Sequence, residues 1–488
     1  MASIEELKKV RLEKRNILER AGMNPHPSDI QTTFTINQIA GDFKEGIQVE
    51  IAGRVHAIRG SGAISFIVIH DGTGTYQVVI KKDTMEASLF DLFEKTVDIG
   101  DFVWFKGVTF LTQRGAESVL AESWKMASKS LLPLPDKHAG IQDQDEIYRK
   151  RYLETISSEE AFERFKIRSL IIKNIRSFFD TKDFMEIETP ILQNQAGGAM
   201  AQTFNTHHLD LDLPMVLRIS LEIEHKMVMA GGYRRIYEIG KNFRNEGSDP
   251  THIQEFTMLE WYAAYETLEQ NITWTQELLT HLASEVLGKT EFRVYDKDNV
   301  EHVVSFIGDW KQVRFDSLLL QYASLDIHTA SDEEIRAKAY EYGMSVEEGK
   351  QMGIANILDF IYKKSARSKL IQPTFVTHYP GNLKPLAQQN DDGTAQVAQL
   401  IIAGSEITNQ YAELVDPIIQ RKLLESQKEA KENGDTEAMD INERFITAME
   451  HGMPPMTGFG MGIDRLVALL TEKENLRDVI FFPIMREK

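Results

Sequence analysis

Apolar and polar positions change rhythm along the chain, and each change marks a part of the fold. Residues 1 to about 30 carry apolar positions at helical spacing among Lys, Arg and Glu, and the run ends at Gly22 and the Pro25-His26-Pro27 turn. From about 31 to 133 the pattern shortens to strand-length runs: VEIAGRVHAI, ISFIVIHD, TYQVVIKK and DFVWFKGVTFL. Turns at Gly60-Ser61-Gly62, Asp71-Gly72-Thr73-Gly74 and Arg114-Gly115 bound them, and ASLFDLFEKT is a helical interlude. A polar connector headed by LPLP, about 134–160, reads as a hinge between domains. A long amphipathic helix, FERFKIRSLIIKNIRSFFDTKDF, opens a mixed region from 161 to the end. Within it, about 266–372 is helix-rich and strongly charged, and 421–444 reads as charged surface helices with a flexible loop. The fold class is α+β, with the strands of 31–133 forming an OB-type barrel.

Composition narrows the picture. A chain of 488 residues suggests two to four domains and an ample core. Cysteine is absent, which excludes disulfides, cysteine zinc sites and thiol nucleophiles. No apolar run reaches membrane-span length and the N-terminus lacks a signal-peptide core, so a cytoplasmic protein with no membrane partner is expected. A net charge of −19 argues, taken alone, against a nucleic-acid partner. Charge is local, however: Lys8, Lys9, Arg11, Lys14, Arg15 and Arg20 gather on one helix that can track an RNA backbone or simply face solvent.

Two segments carry the chemistry. FRNEGSDPTHIQEFTMLEWY, 243–262, reads as two antiparallel strands around a loop. At each end it places two polar groups two residues apart, hence on one face: Arg244 with Glu246, Glu260 with Tyr262. Arg suits a phosphate because its planar fork donates two parallel hydrogen bonds, and Phe256 offers a flat face for a purine. By itself the segment fits a nucleotide site and an ordinary surface hairpin equally well. The second segment decides between them. Gly458-Phe459-Gly460-Met461-Gly462 strips one strand edge of side chains so that a flat ligand can approach, and Asp464 and Arg465 then open a helix. The spacing fits neither a Rossmann fingerprint nor a Walker loop, and no G-x-S-x-G elbow supports a serine nucleophile.

These segments resemble motifs 2 and 3 of the class II aminoacyl-tRNA synthetases, with motif 1 as FMEIETPIL at 184–192. Within that class the chain resembles the lysyl-tRNA synthetase family of bacterial type, from about residue 8 to the end, through RLEKRNILERAGMNP, THYPGNLKPLA and HGMPPMTGFGMGIDR. The resemblance implies an anticodon-binding barrel at 31–133, a class II catalytic domain at 161–488 and an insertion domain at about 266–372. It further implies a homodimer, and ATP, L-lysine and tRNA(Lys) as substrates, with Mg2+ as cofactor.

Site residues follow on the same terms. Activation joins two anions, so it needs positioning and charge stabilisation rather than a general base. Arg244 is expected on the α-phosphate and the substrate carboxylate, Arg465 on the γ-phosphate, and His252 near the β- and γ-phosphates. Phe256 stacks on adenine, Glu246 accepts from its amino group, and Gly460 and Gly462 floor the ATP site with Glu406 beside them. An ammonium-binding pocket needs carboxylates, and the chain supplies Glu222, Glu260 and Glu413. Glu413 and Tyr262 are expected on the ε-ammonium, Tyr411 on the aliphatic stem with Asn409 nearby, and Glu222, Glu260 and Gly198 at the α-amino end. Asn409, Tyr411 and Glu413 are expected on one strand face. Arg59, Phe66 and Gln77 fall where the family places its anticodon readers, with barrel core as the other reading of Phe66.

Several positions depart from the family. Its acidic metal pair maps to Glu406 and Gln399, and a neutral Gln leads us to expect a missing or weaker second Mg2+. Leu221 replaces a proline, Ile223-Glu224-His225 an apolar run, Ile253 and Gln254 an Asn and a Pro, Ala63 a lysine, and Asp183 a glycine. His207 and His208, being neighbours on a strand, are expected to be structural. Two other functions stand beside the synthetase: a relative that lysylates protein, against which the barrel weighs, and a non-catalytic regulator on a synthetase scaffold.

Overall fold

The computed structural model describes residues 3–135, 140–199, 201–296, 298–432 and 441–487. It forms two compact units, residues 1–143 and 144–488.

The first unit begins with α1 (Ile4–Arg20), where Ser3 and Glu6 form a reciprocal cap, and α2 (Ile36–Gly41). Strands β1 (Gln48–Ser61), β2 (Ile64–His70), β3 (Thr75–Lys81), β4 (Phe102–Leu111) and β5 (Glu117–Ser128) close into a barrel of order β1-β2-β3-β5-β4, with α3 (Ala87–Thr96) between β3 and β4. Alternation decides its two faces: Ile67 and Ile69 point into the core with Val78, Phe105 and Trp124, while Phe66 points out. The basic charge of α1 is largely engaged within the unit. Arg11 is buried and donates to the Ser130, Leu132 and Ile99 carbonyls, Lys14 pairs with Asp98 at 2.6 Å, and Arg15 and Arg20 pair with Glu19 and Glu13 of the same helix. Arg11 and Lys14 are thereby withdrawn from the expected RNA-tracking face of α1, which keeps Lys8, Lys9, Arg15 and Arg20.

The second unit starts earlier than the sequence suggests. Residues 136–139 of the expected connector lie outside the described residues, and from Gln144 the chain is helical: α4 (Gln144–Arg149), α5 (Arg151–Ser157) and α6 (Glu159–Asp180). Arg151, fully buried, donates to the Arg477 and Phe481 carbonyls, so this stretch is part of the second unit rather than a free hinge. There follow β6 (Met185–Glu186), the small sheet of β7 (Leu192–Gln193), β8 (Asn205–His208) and β9 (Leu213–Leu217), then α7 (Glu222–Ala230), β10 (Arg235–Phe243), β11 (Glu255–Ala264) and α8 (Leu268–His281). A hairpin of β12 (Glu291–Tyr295) and β13 (Glu301–Ser305) precedes β14 (Lys311–Arg314) and α9 (Phe315–Ala323), α10 (Asp332–Glu341), α11 (Val346–Gln351) and α12 (Ile354–Ser365). The chain ends through β15 (Thr374–Pro380), β16 (Thr394–Ile402), β17 (Ser405–Ala412), α13 (Pro417–Glu432), α14 (Glu443–Glu450), β18 (Met456–Gly462) and α15 (Ile463–Leu470). Of the loop expected within 421–444, residues 433–440 lie outside the described residues.

Eight strands form one sheet of order β14-β15-β16-β17-β18-β11-β10-β6, antiparallel except at its two ends. Its back is dry: Leu259, Trp261, Phe459 and Met461 pack on Ile171 and Phe179 of α6, Leu278 and Leu279 of α8, and Leu466 of α15. Trp261 lies flat on Phe459, its partner across β11 and β18, with ring centroids 3.3 Å apart. The expected insertion at 266–372 is therefore divided. Helix α8 belongs to this central core and β14 extends the sheet, whereas α9, α10 and α12 build a core of their own with β15 and β16.

Asp183 adopts φ +56° before the strand of motif 1. The turn keeps the left-handed backbone that glycine takes most readily, and Asp is among the residues that tolerate it.

Candidate active site

The front of the same sheet is polar, and strand register explains why. Glu260 of β11 pairs with Gly460 of β18, which pairs with Asn409 of β17; Tyr262, Gly458 and Tyr411 form the next row. Each glycine thus separates two functional side chains and leaves room between them. A cavity of about 460 Å³ lies over these rows, lined among others by Gly198, Glu222, Arg244, Phe256, Glu406 and Arg465.

The loop between β10 and β11 crosses the cavity. Its Arg244 and Glu246 are brought together, but not as strand neighbours: β10 ends at Phe243, and the Glu246 amide donates to the Arg244 carbonyl at 2.9 Å. The Arg244 guanidinium rests 5.2 Å from the Phe256 ring centroid and donates to the Ile219 carbonyl. Burial lowers the Arg244 proton affinity, against the pull of Glu246 and Glu260. His252 bonds Asp249 at 2.9 Å and stands at the exposed rim. Ile253, where the family differs, packs beside the central core. Arg465 donates to the Glu406 carbonyl at 3.1 Å, which ties the first turn of α15 to β17. Asp464 plays a different part: it accepts from the Thr257 amide and pairs with Arg168 at 2.7 Å, fastening β11, α15 and α6 together.

At the other end of the cavity the carboxylates converge. Gly198, at φ +79°, approaches Glu222 so closely that a Cβ would stand 2.8 Å from the Glu222 Cβ. Helix α7 starts at Leu221 without a side-chain cap, and the Leu221 amide donates to Glu260 at 3.3 Å. Burial, with Glu222 nearby, pushes the Glu260 carboxyl up to about 8. Glu413 is also pushed up to about 8 by burial, with Lys226 pulling it down and Glu222 adding to the rise. Tyr262 and Tyr411 are raised by the same desolvation and by these carboxylates.

Two expected residues stand off the cavity wall. Gln399 is buried on β16, one strand beyond Asn409, and does not line the cavity as Glu406 does. Glu413 lies past the end of β17 and behind the wall, buried, with its Oε1 atom free of hydrogen-bond donors. The sequence reading missed Lys226. Its buried ammonium pairs with Glu222 at 2.7 Å and with Glu413 at 2.6 Å. Helical i,i+4 spacing from Glu222 was the available signal for the first contact; nothing local announces the second.

In the first unit, Arg59 faces Phe66 across β1 and β2, and Gln77 follows on β3 opposite Val68. Phe66 is 37 % exposed, which excludes the core reading. Gln77 donates to Ser118 at 2.8 Å.

Residues 143–486 match the model of tRNA synthetases class II (D, K and N), and residues 49–127 match the OB-fold nucleic acid binding domain. The chain belongs to the class II tRNA synthetases. Relatives of this synthetase agree along its whole length. A lysine–tRNA ligase of Carboxydothermus hydrogenoformans is 40% identical, with 99% of each chain covered. That of Christiangramia forsetii is 37% identical over 100% of this chain and 87% of its own, and that of Listeria welshimeri 38% over 98% and 97%. Among the described residues of the synthetase no helix is long and apolar enough to cross a membrane. Its His207 and His208 lie on an exposed strand, and no described group of three or more His, Asp or Glu is gathered as for a metal.

Proposed function

We propose that the chain activates L-lysine with ATP and passes the lysyl group to the 3′ end of tRNA(Lys). It is a lysine–tRNA ligase. The observation that carries the choice of amino acid is the convergence of Glu222 and Glu260 beside Tyr262 and Tyr411 at one end of the cavity, with Glu413 buried behind them. The Lys226 ammonium there is already paired with Glu222 and Glu413, so an aspartate side chain meets carboxylates, whereas an ammonium gains charge-assisted bonds.

In the first step a lysine carboxylate oxygen attacks the α-phosphorus and the bond to the bridging oxygen breaks, releasing pyrophosphate. Arg244 holds the α-phosphate and the substrate carboxylate and stabilises the charge that develops between them. Phe256 stacks on the adenine and Glu246 accepts from its amino group. Arg465 holds the γ-phosphate, His252 lies toward the β- and γ-phosphates, and Gly460 and Gly462 let the nucleotide approach the strand. Glu413 and Tyr262 receive the ε-ammonium, Tyr411 covers the stem beside Asn409, and Glu222, Glu260 and Gly198 bind the α-amino end. Glu406, a carboxylate at the cavity, would hold a Mg2+ ion, which when bound would supply positive charge to the ATP phosphates. Gln399, neutral and off the wall, supports a reduced metal count.

Arg59, Phe66 and Gln77 read the anticodon, Phe66 by stacking. A closed barrel in the same chain as the catalytic unit favours tRNA over a protein as lysine acceptor. The chain works as a homodimer in the cytoplasm. Exposed Met185, Ile191, Leu192, Leu209 and Leu211, close to motif 1, support a dimer contact. Lysine-dependent ATP–pyrophosphate exchange followed by charging of purified tRNA tests the reading. Exchange and charging are expected. Absence of exchange with lysine would overturn it, and exchange without charging would move the acceptor from tRNA to protein.

A further inference from the structure

Behind the wall of the amino-acid pocket lies a resident ammonium. Lys226 is fully buried on α7, and its Nζ lies 2.7 Å from Glu222 Oε1 and 2.6 Å from Glu413 Oε2. Phe445 of α14 lies 5.9 Å from it and packs with Ile223 in an apolar cluster. Glu413 is thus held by one oxygen only. Its other oxygen, Oε1, has no donor among the described residues, and it points at Gly458, where a Cβ would collide with it. A buried carboxylate oxygen without a donor costs free energy unless a ligand supplies one.

We propose that Lys226 is a positioning residue for lysine selection: its ammonium ties Glu222 and Glu413 together from behind the wall, fixing the depth of the pocket and presenting Glu413 Oε1 to the substrate's ε-ammonium. The inference rests on the lysine reading above and extends it to a residue that does not touch substrate. Charge counting gives the reason. Glu222, Glu260 and Glu413 share one dry region, and like charges that close resist joint ionisation. Burial alone would drive the Lys226 proton off, but Glu222 and Glu413 outweigh it and raise the ammonium above its ordinary range. The resident cation thereby offsets one carboxylate charge while leaving net acidity for an incoming ammonium. With Glu413 Oε2 taken by Lys226, the oxygen left for a second cation is Oε1, beside Gly458 and Tyr262.

The groups facing Glu413 are Lys226 and Glu222 from α7, Tyr262 from β11 and Tyr411 from β17, with Glu260 beyond Tyr262. Of these Lys226 is the cation paired directly with Glu413. Removing it raises the proton affinity of the carboxyl, so the acid limb of kcat/KM for lysine, a free-enzyme property, moves to higher pH.

The test is lysine-dependent ATP–pyrophosphate exchange by wild type, Lys226→Met and Lys226→Arg across pH 6 to 9, with KM for lysine and for ATP measured separately. For Lys226→Met we expect the lysine KM to rise tenfold or more, the ATP KM to stay within about twofold, and the acid limb to shift upward. Lys226→Arg keeps the charge with a larger head, so it raises the lysine KM and leaves the limb in place. A folded Lys226→Met enzyme with unchanged lysine KM and unchanged limb overturns the inference, as does a loss confined to kcat and melting temperature. Should Lys226→Met not fold, an unaltered lysine KM in Lys226→Arg overturns it. Wild type without lysine-dependent exchange would instead remove the functional reading beneath.

Discussion

Gly458 of β18 and Glu413, just past β17, stand so close that no Cβ fits between them: a methyl group on the glycine would collide with Glu413 Oε1 and lie 2.6 Å from Tyr262 Cε1. The absence of a side chain at 458 is what allows the carboxylate to lie behind the tyrosine. Gly458→Ala is accordingly expected to raise the lysine KM at least tenfold in pyrophosphate exchange while changing the ATP KM little. An equal loss for both substrates would mean that the strand itself had shifted.

Buried Glu260 gives the ligand-free enzyme a pH-dependent stability with a definite sign. Its carboxyl is raised from 4.5 to about 8, chiefly by burial. Between those two values the native state holds a proton that the unfolded chain has released, so the stability is fully present below 4.5, declines as pH rises and is fully lost once pH has passed about 8. His225, lowered by burial, acts in the opposite sense below its ordinary 6.5 and leaves the upper window clear. The melting temperature without ligands should fall between pH 6.5 and about 8 and level off above it, and saturating lysine should flatten that slope by supplying an ammonium. A flat profile without lysine would refute the assignment.

Asp183 holds φ +56° at a turn where glycine would be unstrained. Asp183→Gly should stabilise the fold by up to about 1 kcal/mol, since a left-handed backbone costs an L-residue roughly that much. Denaturant unfolding measures it, with exchange activity unchanged. Destabilisation would show that the Asp side chain contributes more than the backbone costs.

Phe66 is exposed on the outer face of β2 beside Arg59. Phe66→Ala should leave pyrophosphate exchange intact and reduce kcat/KM for tRNA charging by roughly 5- to 150-fold, the worth of one stacked base at about 1–3 kcal/mol. Normal charging by this variant would remove the anticodon role.

What could be read in the sequence was local. The glycine alternation at 458–462 and the 243–262 hairpin announce themselves because strand period and turn residues act over a few positions. Arg244 and Glu246 were assigned to one strand face by the same logic, but β10 stops at Phe243 and a turn brings them together instead. The pairing of Lys226 with Glu413 was out of reach, because it depends on where α7 settles against a strand far along the chain. Charge counting misled on α1 for a related reason: Arg11 and Lys14 look like an RNA-binding surface until their partners at Ser130 and Asp98 are seen. The second unit begins before 160 because Arg151 is buried against the Arg477 and Phe481 carbonyls, and the expected insertion divides after 266 because α8 shares the central core with strands of the sheet.

The stack of Trp261 on Phe459 bears on how the ligands meet the site. A strand with glycine at every second position should be the softest in its sheet. Here it is clamped from behind by two large rings, and Asn271 adds a hydrogen bond from its amide to the Gly458 carbonyl at 2.8 Å. The floor of the cavity is consequently braced before any ligand arrives. The entropy of ordering it is lost once, when the chain folds, rather than in every catalytic cycle.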